Sequence, residues 1–229
     1  MWDIFYNQFI TKGGYLTALN GLWVTIEIAV LGLIIGVVLG TIIALVKIMP
    51  KYNMLPKILD KICEIYVGFF RGTPMVVQLL IGYYVLMPAL NIRADGVMVA
   101  ILIFGLNSGA YVSEIMRAGI QSVDVGQLEA GRAVGLSYWT AMFKIVIPQS
   151  IKNILPTLGN EFIVLVKETS VVSFIAVVDL TKAFRAIGDA TYEYIIPYIM
   201  LAIVYLVLVI IITLGIKAME RRLKRSDRS

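Results

Sequence analysis

The chain has 229 residues, 59% of them hydrophobic, with a mean hydropathy of +0.87 and a net charge of +5. Soluble domains average about 45–50% apolar residues; here the excess lies in long uncharged runs, which excludes a large soluble core. A single cysteine, Cys63, excludes a disulfide framework within the chain, and the absence of histidine excludes His-based metal chemistry and a histidine proton switch.

A bilayer core about 30 Å thick takes roughly 20 helical residues per crossing. Residues 1–19 hold apolar positions but neither a secretory apolar run nor a basic lead. MWDIFYNQFI therefore reads as a short amphipathic helix lying on the outer surface. A first span is expected over 20–46, because Ile28–Val46 is uncharged and follows Glu27. It carries Gly32, Gly36 and Gly40, and a later span repeats the spacing at Gly105 and Gly109. Glycines four apart make a flat stripe that another helix can approach closely. Packing inside the chain is expected ahead of contact with a second copy.

A second span is expected over 65–90, where Gly72–Ile92 is uncharged but contains Pro74 and Pro88. Phe70-Arg71-Gly72-Thr73-Pro74 stands at its start, with Gln78 following. Arg71 is expected to snorkel or bind a neighbouring helix end, and Thr73 and Pro74 to pre-shape the entry turn. A third span, 96–117, holds the polar Asn107 and Ser108 at mid-depth. Glu114 and Arg117, three apart, are expected to pair on its face.

Periodicity breaks over 118–150. Asp124, Gln127, Glu129 and Arg132, with Gly126, Gly131 and Gly135, make this stretch too polar for lipid. Ser122 or Asp124 is expected to cap a helix running to about Val134, and Gly135 to end it in a left-handed conformation. A second helix, Tyr138–Ile147, should follow, with Pro148 turning the chain into the fourth span, 151–178.

That fourth span is interrupted by Glu161, Lys167 and Glu168. Ionisable groups inside a span are costly and are functional candidates by default. Ten residues in from Ile151, Glu161 lies about 15 Å deep, near the bilayer centre. Glu161 and Glu168 share one helix face, with Asn160 and Lys167 on the adjacent stripe. The fifth span, 193–218, contains the uncharged run Tyr194–Ile216 and leads into a basic tail, 219–229.

Fourteen Lys and Arg residues border one side: those of the first loop, the 117–152 segment and the tail, with Lys217 just before it. Four border the other: Lys12, Arg93, Lys182 and Arg185. The excess puts the 117–152 segment and the C-terminus in the cytosol and the N-terminus outside. Because the basic residues border apolar spans, the positive charge is not a nucleic-acid footprint. No repeat of about 100 residues is visible, so the chain reads as one half of a carrier whose mate is another subunit. No GxxxxGK[ST] loop occurs, so the chain should not hydrolyse ATP.

Residues 129–148, EAGRAVGLSYWTAMFKIVIP, place Glu129, Ala130, Gly135 and Ile145-x-Ile147-Pro148 at the offsets of the EAA signature. The segment closely resembles that of bacterial ABC importer permeases, with Gly131 in place of the second Ala and Ile147 in place of Leu. The FRGTP–Q stretch and Asn160-Glu161-Phe162-Ile163-x-Leu165-x-Lys167-x-Thr169-Ser170 resemble the polar amino-acid branch, which includes the histidine, glutamine and arginine permeases.

The resemblance implies an all-α membrane protein of MetI-like type, with five transmembrane helices and a coupling helix between the third and fourth. It implies two such chains per transporter, as copies or homologues, with two ATPase subunits that bind ATP and Mg, and an external solute-binding protein. In this chain Glu129, Ala130, Gly131, Gly135 and Pro148 would be the coupling residues. The resemblance further implies a permease subunit with no cofactor of its own, placed in the bacterial cytoplasmic membrane.

A central carboxylate facing a wet cavity could neutralise a guanidinium or ammonium group. Glu161, aided by Asn160 and Ser108, is therefore the expected substrate site, with arginine, lysine or histidine as the expected cargo. Against this stands a structural ion pair of Glu161, for instance with Lys167 of a neighbouring chain. The alternatives are glutamine or another polar amino acid, a gradient-driven secondary carrier, or a non-transporting scaffold.

Overall fold

The computed structural model describes residues 1–225, among which there are helices and no strand. Helix α1 (Trp2–Phe5) runs on through a wider π turn, Tyr6–Thr11. Then follow α2 (Gly14–Ile48), α3 (Met54–Gly72), α4 (Met75–Ile81, prolonged through the π turn Gly82–Leu86 to Met87–Ala89) and α5 (Gly96–Gln121). Short helices α6 (Val125–Ala133) and α7 (Tyr138–Ala141) come next, and the π turn Met142–Val146 joins α7 to α8 (Ile147–Glu168). A 3-10 stretch, Thr169–Ile175, precedes α9 (Leu180–Asp189) and α10 (Ile195–Arg225).

Helices α2, α5 and α10 are each long and apolar enough to cross a membrane. The most apolar stretch of α10 has none of its residues buried in the chain. In water that surface would drive aggregation; in a bilayer it is solvated by acyl chains or by a second copy. The charged α8 does not reach the same apolarity, so five crossings do not follow from helix length and hydropathy alone.

The span expected over 65–90, with its entry turn at Thr73 and Pro74, is sharply bent. Helices α3 and α4 together are apolar enough for a crossing but meet at 107°. The cause is local: Thr73 and Pro74 are both extended (ψ 145° and 141°), and Pro74 has no N–H to give the carbonyl of Phe70, four residues back. That orphaned carbonyl accepts instead from Gln78 Nε2 at 2.8 Å and Asn107 Nδ2 at 3.2 Å. Gln78 also donates to the Thr73 carbonyl, and its Oε1 accepts from Asn107 at 2.9 Å. In a low-dielectric interior each unmet carbonyl costs about 1–3 kcal/mol, so the two amides make the bend tenable.

The glycine stripe packs inside the chain. A Cβ on Gly36 would stand 2.6 Å from Ser108 Oγ, and one on Gly40 would stand 2.6 Å from Val112 Cγ1. From the other side, a Cβ on Gly105 would meet Ile35 at 2.6 Å. The stripes of α2 and α5 therefore interlock, with Ile28, Val99, Ile103 and Phe104 in the core beside them.

Helix α9 was not expected, and residues 1–19 are less of a free surface helix than expected. Asp179 caps α9 by accepting from the N–H groups of Thr181 and Lys182. Its apolar face, Leu180, Phe184 and Ile187, packs with Phe9 of the N-terminal helix. Gln8 Nε2 donates to Thr191 Oγ1 at 2.6 Å and to the Glu193 carbonyl at 2.9 Å, fixing the N-terminal helix to the end of α9. The first long helix begins at Gly14 rather than residue 20. The expected basic tail continues α10 as helix to Arg225, and its last residues, Arg228 among them, lie outside the described residues.

Candidate functional site

The polar segment folds as a capped helix and a reversal. Asp124 Oδ1 accepts from the Gly126 N–H at 2.7 Å, satisfying a donor of the first turn of α6. At the other end Leu136 N donates to the Gly131 carbonyl (3.1 Å) and Gly135 N to the Arg132 carbonyl (3.0 Å). That pair of bonds is a Schellman closure, and it requires the left-handed φ of +91° found at Gly135. The local sequence thus fixes where α6 starts and where it turns back.

The five expected coupling residues do not share one role. Glu129 and Ala130 are exposed on α6, in line with Val125, Gly126, Ala133 and Val134, and together they offer a nearly smooth outer face. Gly131 faces inward: a Cβ there would lie 2.9 Å from Ile145 Cδ1 and 3.2 Å from Ala141 Cβ. Its small size lets α6 lie against α7 and the π turn.

Pro148 does not turn the chain, which corrects the expected break. From Ser137, whose hydroxyl accepts from Thr140 N, helical winding runs through Pro148 to Glu168. The missing N–H of Pro148 falls just after a π turn in which Ile147 N bonds the Met142 carbonyl, five residues back. Tyr138 ties this shaft to the end of α2, donating to the Ile48 carbonyl at 2.8 Å; burial pushes its phenol up, so it remains a donor. From Tyr138 to Glu161 the rod is about 35 Å long at 1.5 Å per residue.

The expected substrate residues are only partly brought together. Ser108 is fully buried and donates to Glu161 Oε1 at 3.2 Å. Glu161 is 8% exposed, lies in the bundle interior and has no ion pair among the described residues. Asn160 lies on the exposed face of α8 instead. That face carries Asn153, Thr157, Asn160, Val164 and Lys167, spaced four and three apart. Asn153 and Thr157 were not expected to matter; the heptad spacing of polar residues was the signal that could have found them. A polar stripe on a membrane helix faces water or protein rather than acyl chains.

At the end of the bundle nearest α6, Glu114 joins three elements. Lys47 of α2 reaches its Oε1 at 2.6 Å and Arg117 its Oε2 at 2.7 Å, while Arg71 of α3 stays 4.0 Å away. The expected Glu114–Arg117 pair is thus present within a larger cluster. Arg71 stacks over the Tyr111 ring at 5.5 Å. No group of His, Cys, Asp or Glu suited to a metal ion occurs among the described residues.

The described residues form an all-helical bundle with membrane-length apolar helices, polar groups in its interior and a capped polar reversal at one end, the build of a polytopic membrane protein. Residues 20–225 match the family described as binding-protein-dependent transport system inner membrane component, and the chain belongs to that family. It is 43% identical over 209 residues to the arginine transport system permease protein ArtQ of Bacillus subtilis, covering 91% of this chain and 93% of that one. It is 36% identical to the putative glutamine transport system permease protein GlnP of Rickettsia prowazekii, covering 90% and 92%. The crystal structure of an amino acid ABC transporter with histidines superposes with a TM-score of 0.85 at 39% identity, over 93% of this chain and 98% of that one. An inward-facing MetNI methionine transporter, with a TM-score of 0.76 at 16% identity over 91% and 96%, shares the MetI-like fold.

The chain is therefore a permease subunit of an ABC-type amino-acid transporter and an inner-membrane component, not an enzyme. ATP hydrolysis belongs to a separate subunit, and ATPase and binding-protein partners follow in general terms from the family. Membership decides for this class over a gradient-driven carrier or a scaffold.

Proposed function

We propose that this subunit imports basic amino acids, arginine foremost, by alternating access between two permease chains. The observation that carries this reading is the buried Glu161. It is a mid-bundle carboxyl with a hydroxyl for company and no cation paired to it among the described residues. A group so costly to bury is retained where it meets a charge during the cycle. The 43% identity to an arginine permease and the histidine-bearing neighbour support the same cargo.

In this reading five spans cross the membrane (α2, α3 with α4, α5, α8 and α10), with the N-terminus outside and the α6 reversal in the cytosol. The external binding protein delivers the solute. Two ATPase subunits, holding ATP and Mg, close on the outer face of α6 at Glu129 and Ala130. Gly131, Gly135 and Pro148 keep α6, the reversal and the shaft in one piece. The continuous rod of α7 and α8 then carries that movement to Asn160 and Glu161. Ser108 releases Glu161 as α8 shifts against α5, so the carboxylate meets the cargo in only one of the two states. A ligand biases the states only through contacts that differ between them.

The test is uptake by the assembled transporter in proteoliposomes. Glu161→Gln should lower arginine uptake by about 10-fold or more, the scale of one lost charge-assisted bond. Glutamine uptake should be little changed. Equal retention of arginine transport overturns the role. The second reading, glutamine or another polar amino acid as cargo, is favoured by the GlnP likeness and predicts the opposite substrate ratio in the unmodified protein.

A further inference from the structure

A cavity of about 430 Å³ at the coupling end belongs neither to the outer face of α6 nor to the Glu161 pair. It is lined by Arg71, Tyr111, Glu114, Ala118, Asn153 and Thr157, among others. Its size falls within the roughly 300–1,000 Å³ of small-molecule sites.

Of the charged side chains that line it, Arg71 is a cation and Glu114 an anion. From outside the lining, Lys47 and Arg117 also reach the Glu114 carboxylate. Lys47 and Arg117 take its two oxygens, which leaves Arg71 at 4.0 Å, beyond hydrogen-bond reach. Arg71 donates no hydrogen bond among the described residues and is 46% exposed, and its guanidinium carbon lies 5.5 Å from the centre of the Tyr111 ring. A planar fork with unspent donors, beside a carboxylate whose two oxygens are already taken, fits a further carboxylate bidentately.

The position suits a solute on its way out. Asn153 and Thr157 continue the exposed stripe of α8 from Asn160 towards the coupling end, one turn at a time. Asn153 is held by its bond to Ser122 Oγ at 2.7 Å, so its carbonyl oxygen remains free to accept from an ammonium group. We propose that Arg71, with Asn153 and Thr157, forms an exit site. It holds the α-carboxylate of the transported amino acid on the cytosolic side before release. The proposal rests on the reading that cargo moves along the exposed face of α8 with the coupling end in the cytosol. It does not depend on which side chain the cargo carries, because every amino acid brings the same carboxylate.

The test uses the assembled transporter in nanodiscs, with Ala118→Cys as a reporter in the cavity and Cys63→Ser to remove the native thiol. At ~10 mM ligand, a concentration suited to millimolar affinity, L-arginine and L-glutamine should each slow maleimide labelling at position 118 by about three-fold or more. Agmatine, which is arginine without its carboxylate, should not. Arg71→Gln should abolish the protection, and Arg71→Lys, which keeps charge but not the fork, should weaken it. Glu161→Gln should leave it intact, which separates failure of this site from failure of the cargo reading. Absence of protection, or equal protection by agmatine, overturns the exit site. So does loss of protection with Glu161→Gln, or full protection in Arg71→Gln. If Arg71→Gln does not assemble, undiminished protection in Arg71→Lys overturns it.

Discussion

Pro74 and Pro148 both sit where a helix should continue, and they have opposite effects. At Pro74 the chain leaves helical geometry and α4 departs from α3 at 107°. At Pro148 the winding continues without interruption. The difference lies in what meets the carbonyl that a proline strands. At Pro74 two side-chain amides, Gln78 and Asn107, take over the Phe70 carbonyl, and this stabilises the break. At Pro148 the preceding turn widens to a π turn, which keeps the backbone in helix and moves the carbonyl away from the ring. The same device precedes Pro88, where Met87 N bonds the Gly82 carbonyl. A proline therefore fixes neither a break nor a shaft; the neighbouring donors decide. The break re-aims α4, whereas the shaft joins the α6 reversal to the membrane interior.

The largest test of this contrast removes the amides. Gln78→Leu with Asn107→Leu leaves the Phe70 and Thr73 carbonyls unmet in the interior, at a cost of about 2–5 kcal/mol on the scale of buried unsatisfied groups. The thermal midpoint of the solubilised transporter should fall clearly, and spin labels on α3 and α4 should report a changed angle. An unchanged midpoint would mean that the bend is held by packing alone.

The next largest effect falls at the reversal. Gly135→Ala forces a side chain into φ +91°, at a cost of about 1–2 kcal/mol. That energy corresponds to a factor of about 5–30 in the population of the closed reversal. Arginine uptake should drop by up to that factor while the bundle keeps its thermal midpoint. The uptake rate measured beside the melting curve checks both halves.

How much of this was legible in the sequence follows the same division. Gly135 and Asp124 were readable because caps are set by residues within a turn of one another. The glycine stripe was readable because its period is helical. A turn at Thr73 and Pro74 was readable from the proline, but its sharpness was not, since a hydropathy run does not record direction, and the partner that sustains the bend, Asn107, lies 29 residues beyond Gln78. Helix α9 escaped for another reason. Leu180, Ala183, Phe184 and Ile187 with Asp179 before them are an amphipathic pattern behind a cap, but too short to register as a span. The inward turn of Gly131 was hidden because small residues suit a docking face and an internal contact equally. Glu161 was visible as a costly group, whereas its Ser108 partner is set by the crossing of α5 and α8.

Gly131→Ala separates the two uses of a small residue. Its Cβ would press Ile145 Cδ1 at 2.9 Å, the end of a flexible side chain, so about 1 kcal/mol is expected. The loss should appear as looser α6–α7 packing, read by hydrogen exchange in α6, with ATPase binding weakened only in proportion. A larger loss of binding than of protection would move Gly131 to the outer face.

The smallest effect is expected at Pro148 itself. Replacing it with Ala returns an N–H that could bond the Lys144 carbonyl and draw the π turn into ordinary α geometry. One residue would then leave the bulge, and α7 would rotate by about 100° relative to α8, carrying the reversal out of register. The packing opposes that rotation. Ala141, Met142 and Val146 are all buried, and Ala141 and Ile145 back onto Gly131, so the register is held by more than the proline. Pro148→Ala should therefore change stability by less than about 1 kcal/mol and uptake per ATP hydrolysed by less than about two-fold, as expected for a site whose neighbours already fix its geometry. The transport-to-hydrolysis ratio is the measurement that decides. A normal hydrolysis rate with uptake lost would show that the proline alone sets the phase of the shaft, and would return to it the role that the buried turn residues hold here.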